Sequence, residues 1–461
     1  MRMRWSDLWT WRDTIDRGPY LFWGVILCAI KYNLDRFLVW HWSGQRWSLL
    51  DYSRAGEYLW PKLPARDNAP EWIVMLVLAL PFMTAGVMLT LKRLRSATLP
   101  LWLVILFFVP VIKVIFFVVL SIIPSRGAGV KNSPGLFDAE RWPGVLIPRS
   151  RGGAAFAGIA FATASTAAVV WLGTTWLKQY GWSLFVGLPF TQAFLSILVY
   201  SYHEKRSLRQ CLTVSLLSLV AAGIALLLVA MEGAICILMA APLAAPMALI
   251  GGAVAYSIQA GEYWRSGRAG LFCVAAIVPA LMIVEHGQPA PLQMFSVTTS
   301  VIVDAPPAKV WHNVVSFAEL PPPREFLFLA GIAYPMRARI HGSGPGAVRH
   351  CQFSTGPFVE PIEVWDEPRL LKFSVTKNPS PLQEWTPYED LRPAHLDGFL
   401  ESRAGQFHLT PLPGGRTLLE GTTWYHHHMW PATYWRWWSD YIIHTIHLRV
   451  LRHVKHLSEK A

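Results

Sequence analysis

Two groups of residues in this chain have the types and spacing to do chemistry. The first lies in apolar surroundings: Lys31, Asp35 and Lys113. Lys31 and Asp35 stand at i and i+4 and can pair on one helix face. A lysine inside a membrane costs roughly 3 kcal/mol or more unless it is paired or snorkels. The set therefore reads as an ion or substrate path with Asp35 as counter-charge, or as one structural ion pair plus a snorkelling Lys113. The second group lies in the last third. Glu360, Glu363, Asp397, Glu401 and Arg403 are its acid–base candidates. Glu360 and Glu401 flank apolar strand residues and can face an interior; an ordinary cross-strand ion pair is the plainer reading of the Glu401–Arg403 stretch. Asp440, His444 and His447, spaced four and three, share a helix face. Two histidines and a carboxylate can ligate zinc or iron, and they equally make a wet helix face or the polar lining of a cavity. His426, His427 and His428 cannot converge on one ion, because neighbours in a strand point to opposite faces. No metal site and no cofactor is expected. Neither a nucleophile constellation nor a Gly-rich phosphate loop occurs.

The elements that must position these residues begin with membrane spans. The chain has 461 residues, 53% hydrophobic and 15% charged, with a mean hydropathy of +0.32. Eight apolar runs of about 20 residues suffice for ~30 Å of hydrocarbon: 20–40, 72–91, 99–123, 154–177, 182–200, 211–230, 234–258 and 270–284. The third contains Pro110 and Lys113, and the eighth is short. Pro242 and Pro246 in the seventh could break a helix, as in transporters. The first three runs are bulky; the later five are rich in Ala, Gly, Ser and Thr, which let helices approach closely. Residues 126–153 read as a Gly/Pro/Arg-rich linker. The start, MRMRWSDLWTWRD, reads as an interfacial amphipathic segment rather than a cleaved signal. This gives a three-span block over 1–125, the linker, a second block of about five spans over 154–290, and a domain over 293–461.

Charge excludes nucleic acid as partner. Residues 1–292 carry 25 Lys/Arg against 14 Asp/Glu, and 293–461 carry 16 against 15. The basic excess belongs to short loops between apolar runs, where it meets anionic lipid, and no basic stripe with aromatics marks the last domain. With eight spans, alternate loops hold 14 and 8 Lys/Arg. That margin does not decide the side on which the C-terminal domain lies. Five cysteines without a CxxC pair, only Cys351 of them in the last domain, exclude zinc ribbons and an internal disulfide there.

The last domain reads as strand (295–304), helix (305–320), several antiparallel strands, a polar Pro-rich insertion (379–396), two more strands joined by PGG, and a long helix after Pro431. A curved sheet gripping that helix is the natural packing. Trp430, Tyr434, Trp435, Trp437, Trp438 and Tyr441 crowd the helix start. One stripe, Tyr434–Trp438–Tyr441 or Trp430–Trp437, must pack on the sheet, and the other can line a cavity mouth or touch the bilayer.

TTSVIVDAPPAKVWHNV, FVEPIEVWDEPRLLKFSV and GGRTLLEGTTWYHHHMWPATYWRWWSDYIIHTIHLRVLRHV resemble the SRPBCC, or START-like (polyketide cyclase/dehydrase), superfamily across nearly all of 294–458. The resemblance implies a helix-grip α+β fold with a hydrophobic ligand between sheet and C-terminal helix, and in some members catalysis there. Residues 10–125, through LKRLRSATLPLWLVILFFVPVIKVIFFVVLSIIPS, resemble the domain-of-unknown-function 805 family of bacterial inner-membrane proteins, departing from it at Lys113.

The expectation is a multi-pass bacterial inner-membrane protein. Its helix-grip domain is expected to bind a hydrophobic or amphipathic small molecule, such as a lipid, at the membrane surface. Trp424, Trp438, Tyr441, Glu360 and Arg403 are the expected cavity residues. The lipid bilayer and that ligand are the partners. The alternatives are a membrane-tethered cyclase, dehydratase or hydrolase with Glu360 or Glu401 as base, and a transporter with a ligand-sensing domain.

Overall fold

The computed structural model describes residues 8, 13–43, 47, 69–109, 111–123, 125, 147–260, 272–286, 293–388, 393, 396 and 398–460. Most of the N-terminal amphipathic segment, most of the 126–153 linker, Pro110 and Asp397 lie outside them. The chain divides into two compact units, one of residues 1–229 and 240–289, the other of residues 230–239 and 290–461.

The first unit is helical: α1 (Arg17–Ser43), α2 (Ala69–Ser96), α3 (Ile112–Ile122), α4 (Arg151–Trp171), α5 (Leu188–Tyr200), α6 (Leu208–Leu228), most of α7 (Ala234–Ala260), and α8 (Ile277–His286). Among the described residues five helices are long and apolar enough to cross a membrane, and two shorter ones are apolar. The third expected run is not one helix. It is a 3-10 stretch, Leu101–Phe108, then α3, which starts after Val111 at a positive φ of 63°. Lys113 therefore opens a helix instead of sitting in the middle of one. Pro242 and Pro246 do not break α7, which continues through both.

Small residues set the packing of the second block. All thirteen residues of α5 are buried. A Cβ on Gly158 of α4 would lie 2.5 Å from the Ser196 carbonyl of α5, and one on Gly251 of α7 would collide with the Phe190 carbonyl. Only glycine lets these backbones come so close. A capping box starts α6: Gln210 N–H donates to Ser207 Oγ at 3.4 Å and Ser207 N–H to Gln210 Oε1 at 3.1 Å.

The second unit is an antiparallel seven-stranded sheet in the order β1-β7-β6-β5-β4-β3-β2. Its strands are β1 (Phe295–Val303), β2 (Pro335–His341), β3 (Val348–Phe353), β4 (Gly356–Asp366), β5 (Leu370–Ser374), β6 (Leu400–Leu412) and β7 (Arg416–His427). Short helices α9 (Pro307–Val315) and α10 (Phe326–Leu329) connect β1 to β2, and the 28-residue α11 (Ala432–Glu459) packs on the sheet. This is a helix-grip fold. Its main core joins Trp311, Val310 and Val314 of α9 to Leu371, Leu409 and Leu419 of the sheet and Leu451 and Val454 of α11.

Residues 230–239 belong to this unit through specific bonds. Ala234 N–H donates to the Trp385 carbonyl at 3.0 Å. Ile235 and Cys236 N–H donate to the Glu384 carboxylate at 2.9 and 3.2 Å. Tyr434 Oη donates to the Met239 carbonyl. Helix α7 has 27 residues, where about 20 span the hydrocarbon, so its first turns are free to serve the C-terminal unit. Residues 230–239 and the unit they join are expected to share one side of the membrane, so an even number of crossings is expected between Met239 and residue 293. With α7 crossing, the shorter apolar segment 272–286 is the expected return crossing. Cysteines placed at Glu232 and Met294 in a cysteine-free chain are thus expected to react alike with an impermeant thiol reagent in whole cells, and one at Ser207, across α6, oppositely. Opposite behaviour of 232 and 294 would refute this topology.

Candidate functional site

The charged pair of the C-terminal unit arises from strand register. Arg349, Cys351 and Phe353 alternate with outward residues on β3 and share the interior face. Arg349 stands directly opposite Glu360 of β4. Its Nη1 donates to Glu360 Oε2 in a short ion pair with both side chains almost fully buried. The guanidinium lies 5.6, 5.6 and 5.4 Å from the ring centroids of Phe317, Phe373 and Phe407, within cation–π range. Gly405 makes room for one of these rings; a Cβ there would lie 2.6 Å from Phe373.

This pair borders a cavity of about 110 Å³ between sheet and α11. Phe353, Phe358, Phe373, Phe407, Ile443 and Val450 form its apolar wall, and Arg349, Glu360, Cys351 and His447 are among its polar lining. Burial pushes the Glu360 carboxyl above the usual carboxylate range against the pull of Arg349. It also pushes the Cys351 thiol up to about 12, with Glu360 adding to the effect, so this cysteine is protonated and reacts only slowly at neutral pH while it stays buried.

Hydrogen bonds hold α11 to the sheet. Tyr425 Oη donates to Asp440 Oδ1 at 2.5 Å, and Arg436 Nε to Oδ2 at 3.1 Å. His444 Nδ1 and His447 Nδ1 lie 2.8 and 3.1 Å from Thr299 Oγ1, and His447 Nε2 lies 2.8 Å from Thr423 Oγ1. Asp440, His444 and His447 do share a helix face, and each reaches a strand partner, Thr299 being common to the two histidines. No three His, Cys, Asp or Glu residues among the described ones are placed to hold a metal.

His447 has a pH consequence. Burial, then His444, lowers its pKa to about 4. The folded state therefore refuses a proton that the unfolded chain accepts near pH 6.5. Between these values the unfolded state binds more protons, so stability falls as pH falls. His427, stacked 5.1 Å from Phe295, is likewise lowered to about 4. Each histidine is expected to remove roughly 1.5 kcal/mol of stability between pH 6.5 and 5, the slope approaching about 1.4 kcal/mol per pH unit below 6. Hydrogen exchange of the 293–460 amides in the full chain measures this, and His447→Gln should flatten part of the slope. An unchanged slope would refute the assignment.

The remaining expected residues lie elsewhere. Glu401 pairs with Arg403 at 2.9 Å and stands 3.7 Å from His426 Nε2; neither lines the cavity. Trp424, Trp438 and Tyr441 are also absent from the lining. The buried stripe of α11 is Trp435, Ser439 and Ile443, not Tyr434–Trp438–Tyr441, because tertiary packing, not the spacing, selects which aromatic stripe is covered. Trp437 and Tyr441 are 62% and 51% exposed and stack at 6.5 Å. Of the expected cavity residues only Glu360 lines it. Lys31 pairs with Asp35 within α1. Sequence reasoning missed Arg349, whose signal was a charge at the inward parity of an alternating strand.

No family model matches the chain, and no curated protein matches it. Solved structures similar to it include a protein from Nitrosospira multiformis (17% identity, 35% of this chain and 94% of that one, TM-score 0.24). Truncated norcoclaurine synthase from Thalictrum flavum (13%, 38% and 99%, 0.26) is also similar, as is the aromatase/cyclase Zhui from Streptomyces sp. R1128 (14%, 36% and 94%, 0.24). The helix-grip assignment rests on strand order and the packing of α11, not on these likenesses. The resemblance of 10–125 to the domain-of-unknown-function 805 family finds no support among them.

Proposed function

We propose that this is a multi-pass protein of a bacterial inner membrane whose C-terminal helix-grip unit takes up a small hydrophobic or amphipathic molecule, such as a lipid, at the membrane surface. The observation that carries the reading is an apolar cavity holding one buried Arg349–Glu360 pair, since small-molecule sites combine apolar walls with a few placed polar groups. The exposed Trp437–Tyr441 stack supports contact with the bilayer, where Trp and Tyr favour headgroup depth. At about 110 Å³ the cavity is smaller than the ~150 Å³ pocket that holds benzene. A lipid-sized guest therefore either extends out through the cavity mouth or displaces part of the wall.

Glu360 favours a second reading. A carboxyl held above its usual range beside a guanidinium and facing an apolar cavity suits general acid–base catalysis. That would make the protein a membrane-tethered cyclase, dehydratase or hydrolase acting on a lipophilic substrate. Native mass spectrometry of the full chain, extracted from its own membranes, tests both. The wild type should carry a small molecule that Ala404→Trp, which fills the cavity, does not. Glu360→Gln, whose amide oxygen can still accept from Arg349 Nη1, should keep the molecule under the binding reading. Under the enzymatic reading it should keep the molecule yet lose its conversion by about 10²–10⁴-fold. A folded wild type that is always empty would overturn both.

A further inference from the structure

Helix α11 has two working faces. Ile443, Ile446, His447 and Val450 line the cavity. Ile442 and Ile446 also pack against a second apolar cluster of Ile235, Phe328, Ile332, Leu382 and Leu396. Ile446 is common to both. The second cluster holds the first turn of α7 through Ile235 and the insertion between β5 and β6 through Leu382 and Leu396. Two residues past Leu382, Glu384 closes the same turn with its carboxylate on the Ile235 and Cys236 amides, and Trp385 accepts from Ala234. Glu384 is 7% exposed, and Gly233 leaves its carboxylate room, since a Cβ there would collide with it. The start of an apolar helix of spanning length is therefore built into the back of the cavity wall.

We propose that the C-terminal unit regulates α7: a guest in the cavity displaces α11 at Ile446 and loosens the Glu384 clasp on residues 234–236. Close-packed interiors transmit displacement instead of absorbing it. A guest too large for the space beside Ile446 must move that wall, and the wall is shared with the cluster that seats Ile235. Coupling of this kind is reciprocal, so releasing the clasp must also open the cavity. This regulation rests on the ligand-cavity reading. Its test uses side chains in place of a guest, so its failure is distinguishable from an empty cavity.

Gly421 lines the cavity, and a Cβ there meets Leu451 and Phe407 at ordinary distances of 3.6 and 3.7 Å. Gly421→Leu therefore fills the space, and Ala404→Leu does so from β6. In the full chain in lipid nanodiscs, both are expected to speed hydrogen exchange at the 234–236 amides about tenfold, a typical coupling factor. Val303→Ala, which weakens the core away from the cavity, should not. In the reverse direction, with Cys351 as sole cysteine, Glu384→Ala should raise its alkylation rate about tenfold. Exchange at 234–236 unchanged in both filled variants, matched by Val303→Ala, or an unchanged Cys351 rate would each overturn the proposal.

Discussion

Arg349→Met is expected to unfold the C-terminal unit or nearly so, and Arg349→Met/Glu360→Leu to restore most of what is lost. The single variant leaves the Glu360 carboxylate buried without its counter-charge, which costs about 3–5 kcal/mol. Whole-domain stabilities lie at about 5–15 kcal/mol, so one substitution removes a large share. The three rings around the guanidinium add a loss of cation–π contact. The double variant removes both charges from an apolar site, and replacing a buried pair by apolar side chains is often neutral or better. Hydrogen exchange of the 293–460 amides in the full chain reads each corner of this cycle. Additive losses in the double variant would show that the two charges do not depend on each other.

Arg93→Leu is the second large effect. Arg93 lies near the end of α2, fully buried. Its Nε donates to the Leu120 carbonyl at 2.8 Å, Nη1 to Ser96 Oγ at 2.6 Å and Ser125 Oγ at 2.9 Å, and Nη2 to the Ile123 carbonyl. Leu120 and Ile123 stand at the C-terminal end of α3, whose last carbonyls have no partner within the helix. A cation there also suits the helix dipole. In or near hydrocarbon each unsatisfied backbone group costs several kcal/mol. The first block is expected to lose at least about 3 kcal/mol and yield little monodisperse protein in mild detergent. Arg93→Lys, a point charge without the fork, should fall between. Wild-type melting of Arg93→Leu would refute this role.

These two arginines mark the limits of what the sequence discloses. Strand alternation and the SRPBCC resemblance disclose the helix-grip unit, and the parity of Glu360 among apolar neighbours places it inward. Arg349 escapes because a charge at inward parity has meaning only beside its partner, and register, not spacing, pairs it with Glu360. Arg93 reads as one of three basic residues closing a span. Its bonds reach about 30 residues along the chain, where local pattern is silent. The aromatic start of α11 offers competing stripes to a helical wheel, and tertiary packing covers Trp435. The break in the third run is foreshadowed by Pro110, whereas α7 carries two prolines unbroken. Proline alone therefore does not decide continuity when neighbouring helices can satisfy the freed backbone.

The complete enclosure of α5 has a consequence for biogenesis. A helix that touches protein on every side needs no lipid-soluble surface, and it can carry Thr191, Gln192 and Ser196. Gln192 Nε2 donates to the Ser218 carbonyl of α6 at 2.6 Å, a partner made later than α5 itself. Helices α6 and α7 finish about 60 residues after Tyr200, at Ala260. At about 5–20 residues per second, α5 waits for roughly 3–12 seconds with the Gln192 amide unpartnered by α6. During that interval α4, which is made first, covers one face, and lipid or the insertion machinery must cover the rest until α6 and α7 arrive.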